Sequence, residues 1–67
     1  MATFAEQLAH LRTGKNLTVK EICAQVSIPQ SRLSELERGV RIPTAGQIDR
    51  IEAFFGLGPG ELKKLVG

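Results

Sequence analysis

From Gln30 to Arg41 the chain sets one amide, two hydroxyls, three guanidinium groups and two carboxylates among its leucines. Such groups suit hydrogen-bonded recognition rather than bond making. The Gln30 amide can lie across the N6 and N7 edge of adenine, Arg32 can fork onto guanine O6 and N7 or onto a phosphate, and Glu35 can accept from cytosine N4. Each good bidentate pair of this kind discriminates between bases by about 1–3 kcal/mol. Catalysis has no comparable support. Ser31 and Ser34 have no histidine within reach in sequence, and a nucleophile, a base and an oxyanion donor cannot be assembled with water excluded in so small a helical domain.

The remaining reactive side chains point to structural roles. One cysteine and one histidine can form neither an intramolecular disulfide nor a metal site. Cys23, with no basic neighbour that the sequence sets against it, reads as a packing residue, and His10 as a surface residue near a helix C-terminus. No cofactor, metal or small-molecule ligand is expected.

A chain of 67 residues holds one small domain, expected over residues 1–67, in which every element shares a single core. The formal charge of +2 is small, so composition alone argues weakly for a polyanionic partner. The placement of charge says more: Arg32, Arg38 and Arg41 cluster, while Glu21, Glu35 and Glu37 dilute them, which predicts modest non-specific affinity and a shallow salt dependence. The start MATFAEQ has no basic cap followed by an apolar run, and no stretch approaches the roughly 18 apolar residues of a membrane span. An unprocessed cytoplasmic protein without a membrane partner is the expectation.

Helices must carry these groups. Thr3 and Glu6 form a capping box ahead of Phe4, Leu8 and Leu11, which predicts a helix from Thr3 to about Thr13 that Gly14 ends. Thr18 and Glu21 repeat the arithmetic before Ile22 and Val26, opening a short second helix. Val26-Ser27-Ile28 reverses the chain, Pro29 sets the backbone for a third helix with Leu33 and Leu36 inward, and Gly39 stops it. Thr44 and Gln47 cap a fourth helix carrying Ile48, Ile51 and Phe55, and a fifth is expected from Gly58-Pro59 with Leu62 and Leu65. The fold class is therefore all-α, a compact five-helix domain with a helix-turn-helix over about residues 18–38.

The segment Leu17 to Gly39 resembles the Cro and phage-repressor (XRE-like) family of helix-turn-helix transcription regulators, a lambda-repressor-like fold. Leu17-Thr18, Glu21-Ile22, Val26, Ile28, Ser31, Leu33-Ser34 and Leu36-Glu37-Arg38-Gly39 carry the resemblance. Leu11-Arg12, Pro43-Thr44, Ile48, Ile51 and Phe55-Gly56 extend it over nearly the whole chain. The resemblance implies that Gln30, Ser31, Arg32, Ser34 and Glu35 reach base edges in the major groove. It implies phosphate contacts from Thr18, Arg38 and Arg41, with Lys20 a candidate for the backbone contact that Val19 cannot make, and an ion pair between Arg12 and Glu37 that ties the first helix to the end of the third. The chain departs from the family pattern at Val19, commonly Gln, at Cys23, commonly Ala, at Ser27, usually Gly, at Pro29, usually Ser or Thr, and at Phe54, commonly Ala.

Two adjacent phenylalanines cannot both face one core, so Phe54 either packs under the fifth helix or joins Leu57, Leu65 and Val66 in an exposed apolar patch, a candidate dimer surface. The expectation is a regulator, a repressor of phage, plasmid or mobile-element type, binding a palindromic double-stranded DNA operator as a homodimer. Two alternatives stand beside it: an antitoxin or controller acting with a protein partner, and an interaction module that has lost DNA binding.

Overall fold

The computed structural model describes residues 3–66; Met1, Ala2 and Gly67 of the expected 1–67 domain lie outside the described residues. Four α-helices follow one another: α1 Phe4–Gly14, α2 Val19–Val26, α3 Gln30–Arg38 and α4 Ala45–Phe54. Among the described residues there is no strand. Three of the helices start at capping boxes. Thr3, Thr18 and Thr44 each accept from the backbone N–H three residues on, and Glu6, Glu21 and Gln47 each accept from the threonine N–H in return. Two otherwise orphaned donors are satisfied at each of these ends.

Helix ends follow the same accounting. Gly39 takes φ 76°, its N–H donates to the Leu36 carbonyl, and Val40 N–H donates to that of Glu35. These bonds form a Schellman motif that turns the chain away from α3. Gly56 closes α4 in the same way, with φ 69° and Leu57 N–H donating to Glu52 O at 2.8 Å. The first helix differs from expectation: Gly14 is its last residue rather than its stop, and Asn16 takes the left-handed conformation at φ 56°. Asparagine tolerates that region better than most residues, so the reversal falls two positions later.

No fifth α-helix forms among the described residues. After Gly58-Pro59-Gly60, with Gly60 at φ 90°, the chain makes only a 3-10 turn over Lys63–Leu65. Gly60 in the left-handed region interrupts the run of helical backbone, and the few residues that follow cannot offset the cost of nucleation.

The core lies where all four helices meet. Leu8, Ile22, Leu33, Leu36 and Ile51 are fully buried, and Phe4, Val26, Ile28, Ile48, Phe55 and Leu62 complete the cluster. Leu33 and Leu36 plug the inner face of α3 into this core, so its opposite face must look out. No helix among the described residues is long and apolar enough to cross a membrane.

Candidate nucleic-acid interface

Three residues separate α2 from α3, and each has a defined role. Ser27 takes φ 56°, ψ 41°, and Ile28 N–H donates to the Cys23 carbonyl across the turn at 3.2 Å. Ile28 is buried, which anchors the reversal to the core. Pro29 occupies the N-cap position at φ −55°, ψ 142°, and offers no side-chain cap. Among the described residues α3 is therefore the one α-helix whose start lacks a capping side chain, although Pro29 O still accepts from Leu33 N–H.

Gln30, Ser31 and Arg32, the first turn of α3, are all exposed, whereas Ser34 and Glu35 on the next turn are half-buried. The helix is 9 residues long, so it extends about 13.5 Å. With side chains an α-helix is about 10–12 Å across, a width that a major groove of about 12 Å can admit. Arg38, in the last turn, is exposed and among the described residues makes no ion pair.

The start of α2, which packs against α3, carries further exposed polar groups. Thr18 Oγ1 accepts from Glu21 N–H at 3.1 Å, and its own O–H remains to donate outward. Lys20 is exposed on the same turn, and its carbonyl accepts from the Cys23 thiol at 3.1 Å. Cys23 is half-buried and packs against the core. Val19, too, packs against the core rather than standing free.

Arg12 Nε donates to Glu37 Oε2 at 2.7 Å, and Arg12 Nη1 donates to the Leu17 carbonyl at 2.8 Å. The guanidinium thus joins α1, the chain ahead of α2 and the end of α3. Glu35 makes a second cluster: its Oε1 accepts from Arg41 Nε at 3.0 Å and lies 3.9 Å from Arg32 Nε. The longer separation is an ion pair without a hydrogen bond. Arg41 thereby folds back towards α3 from the loop beyond it.

Phe54, Leu57, Leu65 and Val66 are half-buried and pack against the core, with the Phe54 ring edge-on to Phe55 at 5.0 Å. The large apolar side chains most open to water are Val40, 65% exposed, and Ile42, 78% exposed, in the loop after α3. Ile42 borders a cleft of about 270 Å³ whose wall includes Phe4, Leu65 and Val66.

The sequence left Glu52 unassigned, and the structure gives it a role. This carboxylate is 4% exposed and accepts from Leu62 N–H at 2.8 Å and Lys63 N–H at 3.3 Å, fastening the C-terminal turn to α4. Its position four residues after Ile48 on the inward stripe was the available signal. Among the described residues no group of three or more histidine, cysteine, aspartate or glutamate side chains is placed to hold a metal ion.

Residues 3–65 match the family model of a helix-turn-helix domain. The chain is also 36% identical over 59 residues to an HTH-type transcriptional activator, BcrR, of Enterococcus faecalis, a match covering 88% of this chain. It spans 29% of the length of that relative. No solved structure matches the chain significantly.

Proposed function

The chain belongs to the XRE-like family of helix-turn-helix regulators, and from that premise we propose that it binds duplex DNA sequence-specifically to regulate transcription. The observation that carries this reading is the outward face of α3. Its first turn offers the Gln30 amide, the Ser31 hydroxyl and the Arg32 guanidinium to solvent, while Leu33 and Leu36 lock the opposite face into the core. A rigid helix with a polar leading turn can read base edges without reorganising first.

In this reading Gln30, Ser31, Arg32, Ser34 and Glu35 contact bases. Thr18, Lys20, Arg38 and Arg41 contact phosphates and set the register of α3 in the groove. The domain measures 26 × 25 × 21 Å, so two copies fit side by side on one face of a duplex whose major groove returns about every 34 Å. A homodimer on a palindromic operator follows, with Phe54, Leu57, Leu65 and Val66 as the dimer surface and repression by exclusion of polymerase as its effect.

Selection from a random-sequence duplex pool at about physiological salt tests the reading. A two-fold symmetric site is expected, with the preference at particular bases blurred by Gln30→Ala. Absence of any enriched duplex would remove DNA binding and turn the search to a protein partner at Val40 and Ile42. A second reading, transcriptional activation, is favoured by the similarity to BcrR, an activator. A reporter gene carrying the selected site decides between them, since expression falls with a repressor and rises with an activator.

A further inference from the structure

Two of the three arginines on the interface side of α3 share one carboxylate oxygen, Glu35 Oε1, at 3.0 Å from Arg41 and 3.9 Å from Arg32. Glu37 is already engaged by Arg12, and Glu21 by the Thr18 N–H. Glu35 is thus the interface carboxylate left to oppose interface cations. Helix α3 carries Arg32 and Arg38 against Glu35 and Glu37, so it has no net charge of its own.

We infer that Glu35 is a positioning residue that restrains Arg41 and Arg32 in the free domain and so holds down binding to non-operator DNA. The inference rests on the DNA-binding reading above and concerns how that site tells right duplex from wrong. On a wrong sequence, a phosphate that draws Arg41 away leaves Glu35 facing a polyanion with no donor, so the exchange is unfavourable. Where the groove presents a cytosine N4 amino group, Glu35 gains a donor as it releases the arginine, and the restraint is lifted. Part of the specificity then comes from positive charge withheld at the wrong sites.

Binding of wild type and Glu35→Gln to two duplexes, the selected operator and a scrambled duplex of equal length, is measured across 50–200 mM salt. On the scrambled duplex Glu35→Gln is expected to bind more tightly, with the slope of log K against log salt more negative by about 0.9, one further counterion released. That adds a loss of about 3.5-fold across the salt range. On the operator the slope is expected to stay unchanged, so the specificity ratio falls. In an Arg41→Ala background the substitution should have a clearly smaller effect on the scrambled duplex, because the more closely held cation is gone and only Arg32 remains to be released. Equal shifts on both duplexes, or the same shift without Arg41, would mean a general charge effect and overturn the restraint. An unchanged slope on the scrambled duplex would overturn the restraint while leaving DNA binding intact. No salt-sensitive duplex binding by wild type or variant would overturn both.

Discussion

Arg12 and Glu37 meet at 2.7 Å with side chains only 21% and 10% exposed, and they join the end of α1 to the last turn of α3. The second arm of Arg12 on the Leu17 carbonyl makes this a three-way brace. Removing one partner leaves the other charge half-buried and unpaired. Arg12→Met should therefore destabilise the domain by about 2–3 kcal/mol, in line with lost hydrogen bonds to a charged group. At this chain length that corresponds to a fall in Tm on the order of 10–20 °C. Arg12→Met combined with Glu37→Met should cost less than the sum of the two single substitutions, because the pair also carries a desolvation penalty. Thermal melts of the three variants check this, and strict additivity would remove the coupling.

Ser27 holds a left-handed backbone conformation at φ 56°, where a Cβ is crowded against the following carbonyl oxygen. Ser27→Gly should stabilise the domain by about 0.5–1 kcal/mol, the left-handed strain outweighing the extra chain entropy of glycine. Ser27→Val should destabilise it, since a β-branched side chain tolerates this region least. Urea denaturation resolves both, and a loss of stability in Ser27→Gly would mean that the turn carries no strain.

The helices were legible in the sequence because their signals are local. Thr3, Thr18 and Thr44 each precede a Glu or Gln by three residues, and each opens a helix in the structure. Gly39 and Gly56 mark two stops by the same kind of local chemistry. The start of α3 depended on Pro29 alone, which fixes φ but supplies no cap. Leu62 and Leu65 show the spacing of a fifth helix, but the left-handed turn at Gly60 leaves too few residues after it for more than a 3-10 turn, and that backbone effect is not visible in apolar spacing. Arg41 lies six residues beyond Glu35, past the end of α3, so helical periodicity gave no reason to pair them. That contact exists because the Gly39 turn folds the loop back.

Acid should loosen the C-terminal turn. Glu52 has its carboxyl pKa lowered from 4.5, chiefly by the Leu62 N–H that it accepts. Glu6 and Glu21 are lowered as well, chiefly by the backbone N–H groups of Thr3 and Thr18. A folded-state value below the unfolded one means that stability is fully present above the unfolded value and is lost as pH falls through the folded value. Tm should therefore hold steady down to about pH 4.5 and decline below it. Glu52→Gln should lower Tm at neutral pH and flatten part of that acid decline, and amide exchange at Leu62 and Lys63 should quicken. An acid decline as steep in Glu52→Gln as in wild type would show that Glu52 does not contribute to it.

The three threonine caps separate stability from recognition, because they share one local chemistry and only Thr18 stands at the proposed interface. Thr3→Ala, Thr18→Ala and Thr44→Ala should each destabilise the domain by about 1 kcal/mol. Each loss should lower Tm by roughly 4–8 °C. Measured well below these melting points, duplex binding should weaken several-fold in Thr18→Ala alone. Phosphate contacts carry no base information, so the loss should be equal on operator and scrambled duplexes, and a neutral hydroxyl should leave the salt slope unchanged. Equal weakening in Thr44→Ala would trace the effect to stability rather than contact, and a loss confined to the operator would place Thr18 at a base instead of a phosphate.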